Sequence, residues 1–387
     1  MSVIERETDV ACFGTPSEIS VTRGLAEFHA RRPVQITAPA ENILALPVDG
    51  LDGERLAAFR QLCKPAAVSL AVTAQRGQAL GIDAQHPITL QLDSRIDAKR
   101  LLALVCDASA TYGGRAGKAG RAARAAIQLA KMAQGLPAVL VASLSSHQAD
   151  RGIEGIIKVE AKSIGSFSHD LLRSLTIASK ATVPLSSGSR AEFVVFRDAI
   201  GGTSTAVIVG KPVLSKPVLV RLHSACLTGD VFGSRRCDCG EQLQLALKRL
   251  EDAGAGIILY LPQEGRGVGL ANKMRAYQMQ DDGLDTVDAN TSLGFEDDER
   301  DYAVAGRMLH LLGCRSVVLL TNNPAKLDGL ARAGIEIAGR MPIETPIHDD
   351  NFRYMSAKAV RAGHRLDQLL TSLGRPLDTE EEAPLGR

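Results

Sequence analysis

Residues 256–269 read GIILYLPQEGRGVG. The apolar run Gly256–Leu261 has the length of a strand covered on both faces. It is followed by a proline and then by three glycines spaced around Arg266, after which a helical pattern covers about Leu270–Gln280. Strand, turn and helix in that order form the repeating unit of an α/β layer. The same order returns downstream, where Ser316–Leu320 (SVVLL) reads as a buried strand and Pro324–Ala333 as a short helix. Upstream, Ala191–Phe196, Thr205–Val209 and Pro217–Arg221 read as strands. A helix from about Glu241 places Leu243, Leu247 and Leu250 on one face, with Gly254 just past its end. A further helix is expected from about Asp298 to Leu312, stopped by Gly313. The fold class expected is α/β (α+β) in two domains, the C-terminal one a mixed sheet flanked by helices and carrying a zinc site.

The first half alternates in a similar way. Apolar runs at Ala66–Val72 and Ala138–Val141 are separated by helical patterns such as the Ala-rich Ala122–Ala133, with Ile127 and Met132 on its apolar side. Ser174–Arg190 (SLTIASKATVPLSSGSR) is rich in Ser, Thr and Lys, carries Pro184, and reads as the domain boundary. Residues 1–20 read as a loose leader and 372–387, with three consecutive glutamates, as a disordered acidic tail. The expected division is therefore 1–178, 179–371 and 372–387.

A chain of 387 residues exceeds what one core usually supports, which agrees with two domains. Its 45 basic and 44 acidic residues nearly cancel, and Trp is absent. Neither a polyanion-attracting field nor a base-stacking surface is indicated, so no nucleic-acid partner is expected. No apolar run approaches the roughly 20 residues of a membrane span, and the N-terminus lacks a secretory apolar core. A cytoplasmic location with reduced thiols and no membrane partner is expected. Seven cysteines, an odd count, fit metal ligation better than a disulfide framework.

The stretch 221–243, RLHSACLTGDVFGSRRCDCGEQL, supplies the ligands. Cys226 is followed, after ten residues, by Cys237-Asp238-Cys239. Three thiolates from one loop suit Zn²⁺, and three protein ligands leave a fourth position for a water whose pKa falls to about 7. A closed structural site with His223 as fourth ligand, and a set of buried free thiols, are the competing readings. The cluster alone does not separate them.

Three further segments carry polar chemistry. In the glycine loop the backbone can approach a ligand, and Arg266 offers a bidentate donor for phosphate, although an ordinary turn would look the same. LGFEDDERD at 293–301 places Arg300 among five acids, suited to orienting the arginine, holding Mg²⁺ or accepting a proton; simple complementation of a helix dipole is the bland alternative. LTNNPAK at 320–326 follows a buried strand, where α/β sheets bind ligands, and Thr321 and Lys326 are its candidate contacts. Arg115, Lys118, Arg121, Arg124 and Lys131 read as a solvated face rather than a phosphate patch.

Taken in order, RLHSACLTGD, RRCDCGEQL, QEGRGVGL with the following Asn-Lys and Ala-Tyr, Asp285–Asn290, LGF with DERD, and LLTNNP-K resemble GTP cyclohydrolase II over about 180–370. The resemblance implies Cys226, Cys237 and Cys239 as ligands of one Zn²⁺ per subunit, and a zinc-activated water attacking C8 of guanine. It further implies Asp298 as proton acceptor, Arg300 as nucleophile or charge stabiliser at the α-phosphate, and Tyr277 beside the reacting imidazole. Arg221, Leu222, His223, Ser224, Ala225, Gln242, Glu264, Gly265, Arg266, Thr286, Thr321 and Lys326 fall where the family binds GTP. Mg²⁺ on the triphosphate and a homodimer are implied as well. The reaction implied is GTP to 2,5-diamino-6-ribosylamino-4(3H)-pyrimidinone 5′-phosphate, formate and pyrophosphate, the first step of riboflavin synthesis. A zinc-stabilised nucleotide-binding paralogue without activity, or one in another pyrimidine pathway, is the alternative, motivated by Ala225 where the family commonly has Glu. The first half more faintly resembles 3,4-dihydroxy-2-butanone 4-phosphate synthase, through Val21–Val34 and Gly113–Val141. Its Ile36–Gly50 segment, taken as the family's acidic loop, has no acidic run, and Gly117–Arg121 lacks the family's His. A non-catalytic domain is expected there.

Overall fold

The computed structural model describes residues 14–145, 148, 153–361 and 363–366. The expected acidic tail lies outside the described residues, as does most of the expected leader. The chain forms two compact units, residues 1–170 with 291–295, and residues 171–290 with 296–387.

Seven strands and six helices build the first unit among the described residues. The strands are β1 (Val34–Ala38), β2 (Glu41–Pro47), β3 (Ser69–Val72), β4 (Ile88–Gln91), β5 (Ala116–Lys118), β6 (Ala138–Ser143) and β7 (Lys158–Glu160). The helices are α1 (Pro16–His29), α2 (Gly53–Cys63), α3 (Ala74–Ala79), α4 (Ala98–Cys106), α5 (Arg121–Met132) and α6 (Ala161–Ser174). The sheet order is β5-β4-β3-β6-β2-β1-β7, antiparallel except for β1 beside β7. Helix α1 begins at Pro16, inside the stretch read as a leader. Thr15 and Glu18 close a capping box there, each side chain bonding the other's backbone N–H. Ile36–Gly50 is largely a β1–β2 hairpin rather than a loop, because Ile43, Leu44, Ala45 and Leu46 have a core to enter.

Arg76 is 1% exposed, which is unusual for a guanidinium. It donates to the carbonyls of Ala103, Leu104 and Asp107 at the C-terminal end of α4, and to Ser292 O. Burial lowers its pKa to about 10, so it stays charged at neutral pH.

The second unit contains β8 (Thr176–Pro184), β9 (Arg190–Arg197), β10 (Thr203–Gly210), β11 (Val218–Ser224), β12 (Ala255–Leu261), β13 (Ser316–Leu320) and β14 (Glu336–Met341). Its helices are α7 (Leu227–Asp230), α8 (Cys239–Asp252), α9 (Leu270–Asp281), α10 (Thr286–Ser292), α11 (Ala303–Leu312), α12 (Pro324–Arg332) and α13 (Phe352–Val360). The order β14-β13-β11-β12-β10-β9-β8 is parallel from β14 to β12 and antiparallel beyond, the mixed sheet expected. One core holds Phe196, Leu222, Leu259 and Leu319 with Met308 and Leu309 of α11 and Leu330 of α12. A second core holds Leu219, Ile258 and Leu320 with Ala246 and Leu250 of α8. Covered on both faces, β12 and β13 need the continuous apolar sequences that marked them.

Two sequence readings are corrected here. Thr176–Pro184, read within a linker, is a full edge strand whose nine residues are all exposed, so its polar composition reflects solvent on both faces. The helix expected from Asp298 begins only at Ala303. Residues 298–302 are instead held outside the helix: Glu299 N–H donates to Arg266 O, and Asp301 O accepts from Gln263 Nε2.

Replacing Arg76 with methionine removes the guanidinium's four carbonyl contacts, leaving Leu104 and Ser292 without its donors, and is expected to destabilise the first unit by about 3 kcal/mol. Urea denaturation followed by circular dichroism reads this as a lower midpoint for the first unit's transition.

Candidate active site

The carboxyl ends of β11, β12 and β13 point the same way, since the three are parallel neighbours. Open α/β sheets bind ligands along that edge. Three segments leave it: 225–239 after β11, 262–269 after β12 and 321–326 after β13. Each carries one of the motifs singled out above.

The first segment brings the sulfurs of Cys226, Cys237 and Cys239 within 4.8 Å of one another, with Cys226 and Cys237 3.7 Å apart. Sulfurs at two corners of a tetrahedron around zinc, each about 2.3 Å from the metal, would lie roughly 3.8 Å apart. The donor set and its spacing therefore fit Zn²⁺. Gly229 makes this approach possible. A Cβ there would meet the Cys237 and Cys226 sulfurs at 3.0 and 3.1 Å. Hydrogen bonds from the other two thiols, aided by Lys273, pull the Cys226 pKa down, while the Cys239 thiol is pushed up.

His223 is not part of the cluster. Its Nε2 lies 3.0 Å from both Asp230 oxygens, and its ring stacks on Tyr260 with centroids 5.5 Å apart. Asp230 also accepts from the Cys226 backbone N–H and the Tyr260 hydroxyl. The histidine thus orders the loop beneath the sulfurs, and the closed four-ligand site considered from the sequence does not form.

A cleft opens over the thiols. Ser224, Ala225, Glu264, Gly265, Arg266, Tyr277, Thr286 and Arg300 line it with the three cysteines. Burial raises the Tyr277 pKa to about 12, so it is a neutral hydroxyl here, and the Arg236 guanidinium lies 4.5 Å from its ring centre. The glycine loop is bent tightly: Gly265 and Arg266 both have φ of 62°, a strained value for arginine. That bend directs Arg266 Nη1 to Asp297, while Nη2 is buried without a partner.

A second cleft shares Ser224, Cys239, Arg266 and Arg300 with the first. Arg221, His223, Gln242, Thr321 and Lys326 complete the sequence-predicted part of its wall. Arg221 donates to Leu320 O and Gln242 Oε1, leaving Nε buried and unpaired, and His223 Nδ1 is likewise unpaired. Lys326 Nζ donates to Leu222 O. Burial and then the neighbouring Arg221 and Arg300 depress the Lys326 pKa well below its usual value, and burial with Lys358 does the same to His364. Unpaired buried donors and mutually repelling cations in one cleft fit an anion.

Of the sequence-predicted residues, Leu222 and Asp298 do not line either cleft. Leu222 is core and contributes its carbonyl to Lys326. Asp298 grips Arg300 through a two-pronged ion pair, Nε to Oδ1 at 2.7 Å and Nη2 to Oδ2 at 2.5 Å. Although burial opposes it, that pair keeps Asp298 ionised and its pKa below the carboxylate norm. Sequence reasoning missed Lys273, Asn290, Tyr354, Lys358 and His364 on the walls. Lys273 reaches the Cys226 sulfur at 3.0 Å and Glu264 at 2.8 Å. Its spacing of four from Tyr277 on α9 was a readable signal. Tyr354, Lys358 and His364 come from over 100 residues downstream of the cysteines, and no local pattern announces them.

Thiol ligands for a soft divalent metal on one wall, and unpaired cationic donors on the other, suit a metal-assisted enzyme for a phosphate-bearing substrate. The family model for GTP cyclohydrolase II matches residues 176–342. A GTP cyclohydrolase-2 of Xylella fastidiosa is 35% identical over 377 residues, covering 95% of this chain and 93% of that protein. One from Azospirillum brasilense is 46% identical over 243 residues, 62% of this chain and 63% of its own length. The riboflavin biosynthesis protein RibBA of Bacillus mycoides is 51% identical over 162 residues, 42% of this chain and 41% of that one. The chain belongs to the GTP cyclohydrolase II family. Among solved structures, a two-domain 3,4-dihydroxy-2-butanone 4-phosphate synthase from A. baumannii covers 84% of this chain and 99% of its own, at 14% identity and a TM-score of 0.32. That likeness carries no argument about this chain.

Adding a methyl group at Gly229 (Gly229→Ala) is expected to spread the sulfurs and weaken zinc affinity about tenfold or more, read by competition with a chromophoric chelator. Anion binding should restore protons to the depressed Lys326 and His364. Inorganic pyrophosphate is therefore expected to bind with net proton uptake and to bind more weakly as pH rises. Calorimetry in buffers of different ionisation enthalpy measures it.

Proposed function

We propose that the chain hydrolyses GTP to 2,5-diamino-6-ribosylamino-4(3H)-pyrimidinone 5′-phosphate, formate and pyrophosphate, the first step of riboflavin synthesis, with zinc at the three thiols. The observation that carries this reading is the shared wall of the two clefts: a coordination-spaced thiol triad and a cationic pocket meet at Cys239, Arg266 and Arg300. A purine over the thiols and its phosphates among the cations would then be one ligand in two adjoining clefts.

Cys226, Cys237 and Cys239 are the residues to hold Zn²⁺. When bound there, the metal supplies Lewis acidity that brings a water near neutral pKa for attack at C8. Tyr277, protonated throughout the physiological range, is placed to donate a hydrogen bond to the reacting imidazole. Arg221, Arg266 and Lys326 hold the phosphates, with Mg²⁺ on the triphosphate. Arg300 is strongly protonated in its pair with Asp298, which favours charge stabilisation at the α-phosphate over nucleophilic attack. Asp298 is the proton acceptor in this reading, and its ion pair also orients Arg300. Ala225 lines the first cleft, so the carboxylate usual there is replaced by a small wall residue. A homodimer in the cytoplasm belongs to the same reading; no helix of the described residues is long and apolar enough to cross a membrane.

The first unit is assigned a non-catalytic role. In support, Glu41 accepts from the Ala122 N–H at the start of α5, so a carboxylate of this chain already fills that helix end.

Incubation of the zinc-loaded chain with GTP and Mg²⁺ is expected to release formate and give the ultraviolet change of ring opening. Arg300→Lys, which loses the planar fork, is expected to lower kcat about 100-fold with zinc content unchanged. Absence of formate from wild-type protein with metal confirmed bound overturns the proposal.

A further inference from the structure

Asp238 sits between two of the clustered thiols and is 0% exposed. A carboxylate in that position adds negative charge beside sulfurs that are themselves anionic when they hold a metal, and burial makes such crowding costly unless it is matched. Both of its oxygens are matched. Oδ1 accepts from Lys358 Nζ at 2.5 Å, and Oδ2 accepts from Gln242 Nε2 at 2.6 Å. Gln242 Oε1 accepts in turn from Arg221 Nη2 at 2.6 Å, and Arg221 Nη1 donates to Leu320 O at 2.9 Å. One run of buried hydrogen bonds therefore joins α13, the Cys237–Cys239 turn and the ends of β11 and β13.

Lys358 is itself buried, and its ammonium lies 4.5 Å from the centre of the Tyr354 ring. Just beyond α13 the chain folds back, with His364 N–H donating to Lys358 O at 3.0 Å and Arg365 N–H to Asn322 O at 2.9 Å. The lysine is thus fixed at both its backbone and its charged end. Of the cations on the second cleft's wall, it is the one bonded directly to the residue between two metal-binding sulfurs.

We propose that Lys358 is a positioning residue for the metal site. By neutralising and anchoring Asp238 it sets the backbone that carries Cys237 and Cys239, and so keeps the three sulfurs at coordination spacing. The inference rests on reading the thiols as metal ligands, and it is independent of which nucleotide is turned over.

The test is the equilibrium zinc affinity of the full chain, by chelator competition, for wild type, Lys358→Met, Lys358→Arg and the double variant Lys358→Met/Asp238→Asn. Lys358→Met is expected to weaken zinc binding by about 10- to 100-fold. Lys358→Arg should stay within about threefold of wild type, since it keeps the charge and the donor. The double variant should bind zinc more tightly than Lys358→Met alone, because it removes the orphaned carboxylate. If Lys358→Met fails to fold, Lys358→Gln keeps a donor without the charge and gives the same readout. Pyrophosphate affinity of the zinc-loaded proteins is measured alongside. Wild-type zinc affinity in Lys358→Met with weakened pyrophosphate binding would make Lys358 a phosphate contact only, and that result overturns the proposal. Additive losses in the double variant overturn it as well. Failure of GTP turnover in zinc-loaded wild type would leave these zinc affinities, and the inference, untouched.

Discussion

Mutual repulsion among three sulfurs is the constraint around which the second unit is arranged. Thiolates this close are stable only if a metal or shared protons bind them together, and the surroundings must supply positive charge and exclude bulk. Lys273 supplies an ammonium against Cys226, and Gly229 supplies the absence of a side chain. Asp230, held by His223 and Tyr260, fixes the Cys226 backbone from below. None of these residues needs to touch a substrate to matter. They make a short loop hold an arrangement that its own conformational preferences would not.

The cationic cleft poses the opposite problem, like charges of the other sign. Arg221, Arg266, Arg300 and Lys326 share a wall with few acids to balance them. Asp298 and Asp297 each hold one arginine, while Lys326 responds by a depressed pKa. Positive charge therefore outweighs negative on this wall, and an anionic ligand is the group that would balance it. Juxtaposing this cleft with the thiols places opposite electrostatic demands on either side of Cys239 and Arg300.

Much of this was legible in the sequence because the chemistry clusters locally. The thiols come from 14 consecutive residues, 226–239, and the apolar strands β12 and β13 each end on a polar motif. What the sequence hid follows from physical causes. Thr176–Pro184 looked like a linker because an edge strand open on both faces needs no apolar alternation. Residues 298–302 looked helical because acids commonly open helices, whereas here long-range bonds to Arg266 and Gln263 hold them outside the helix. Tyr354, Lys358 and His364 were invisible since only the tertiary fold returns α13 to the cysteines. Lys273, by contrast, shared a helix face with Tyr277.

The exposed edge strand governs where this chain can be divided. A fragment begun at residue 179, inside β8, would lose part of the strand that pairs with Arg190–Arg197 and leave some backbone donors and acceptors of β9 without partners. Phe196 and Arg197 are the β9 residues whose partners would be lost, and an unpaired edge beside a core phenylalanine invites self-association. Lys180 and Pro184 within β8 discourage such pairing at the natural border. Separating the halves while preserving solubility thus calls for a cut on the N-terminal side of Thr176.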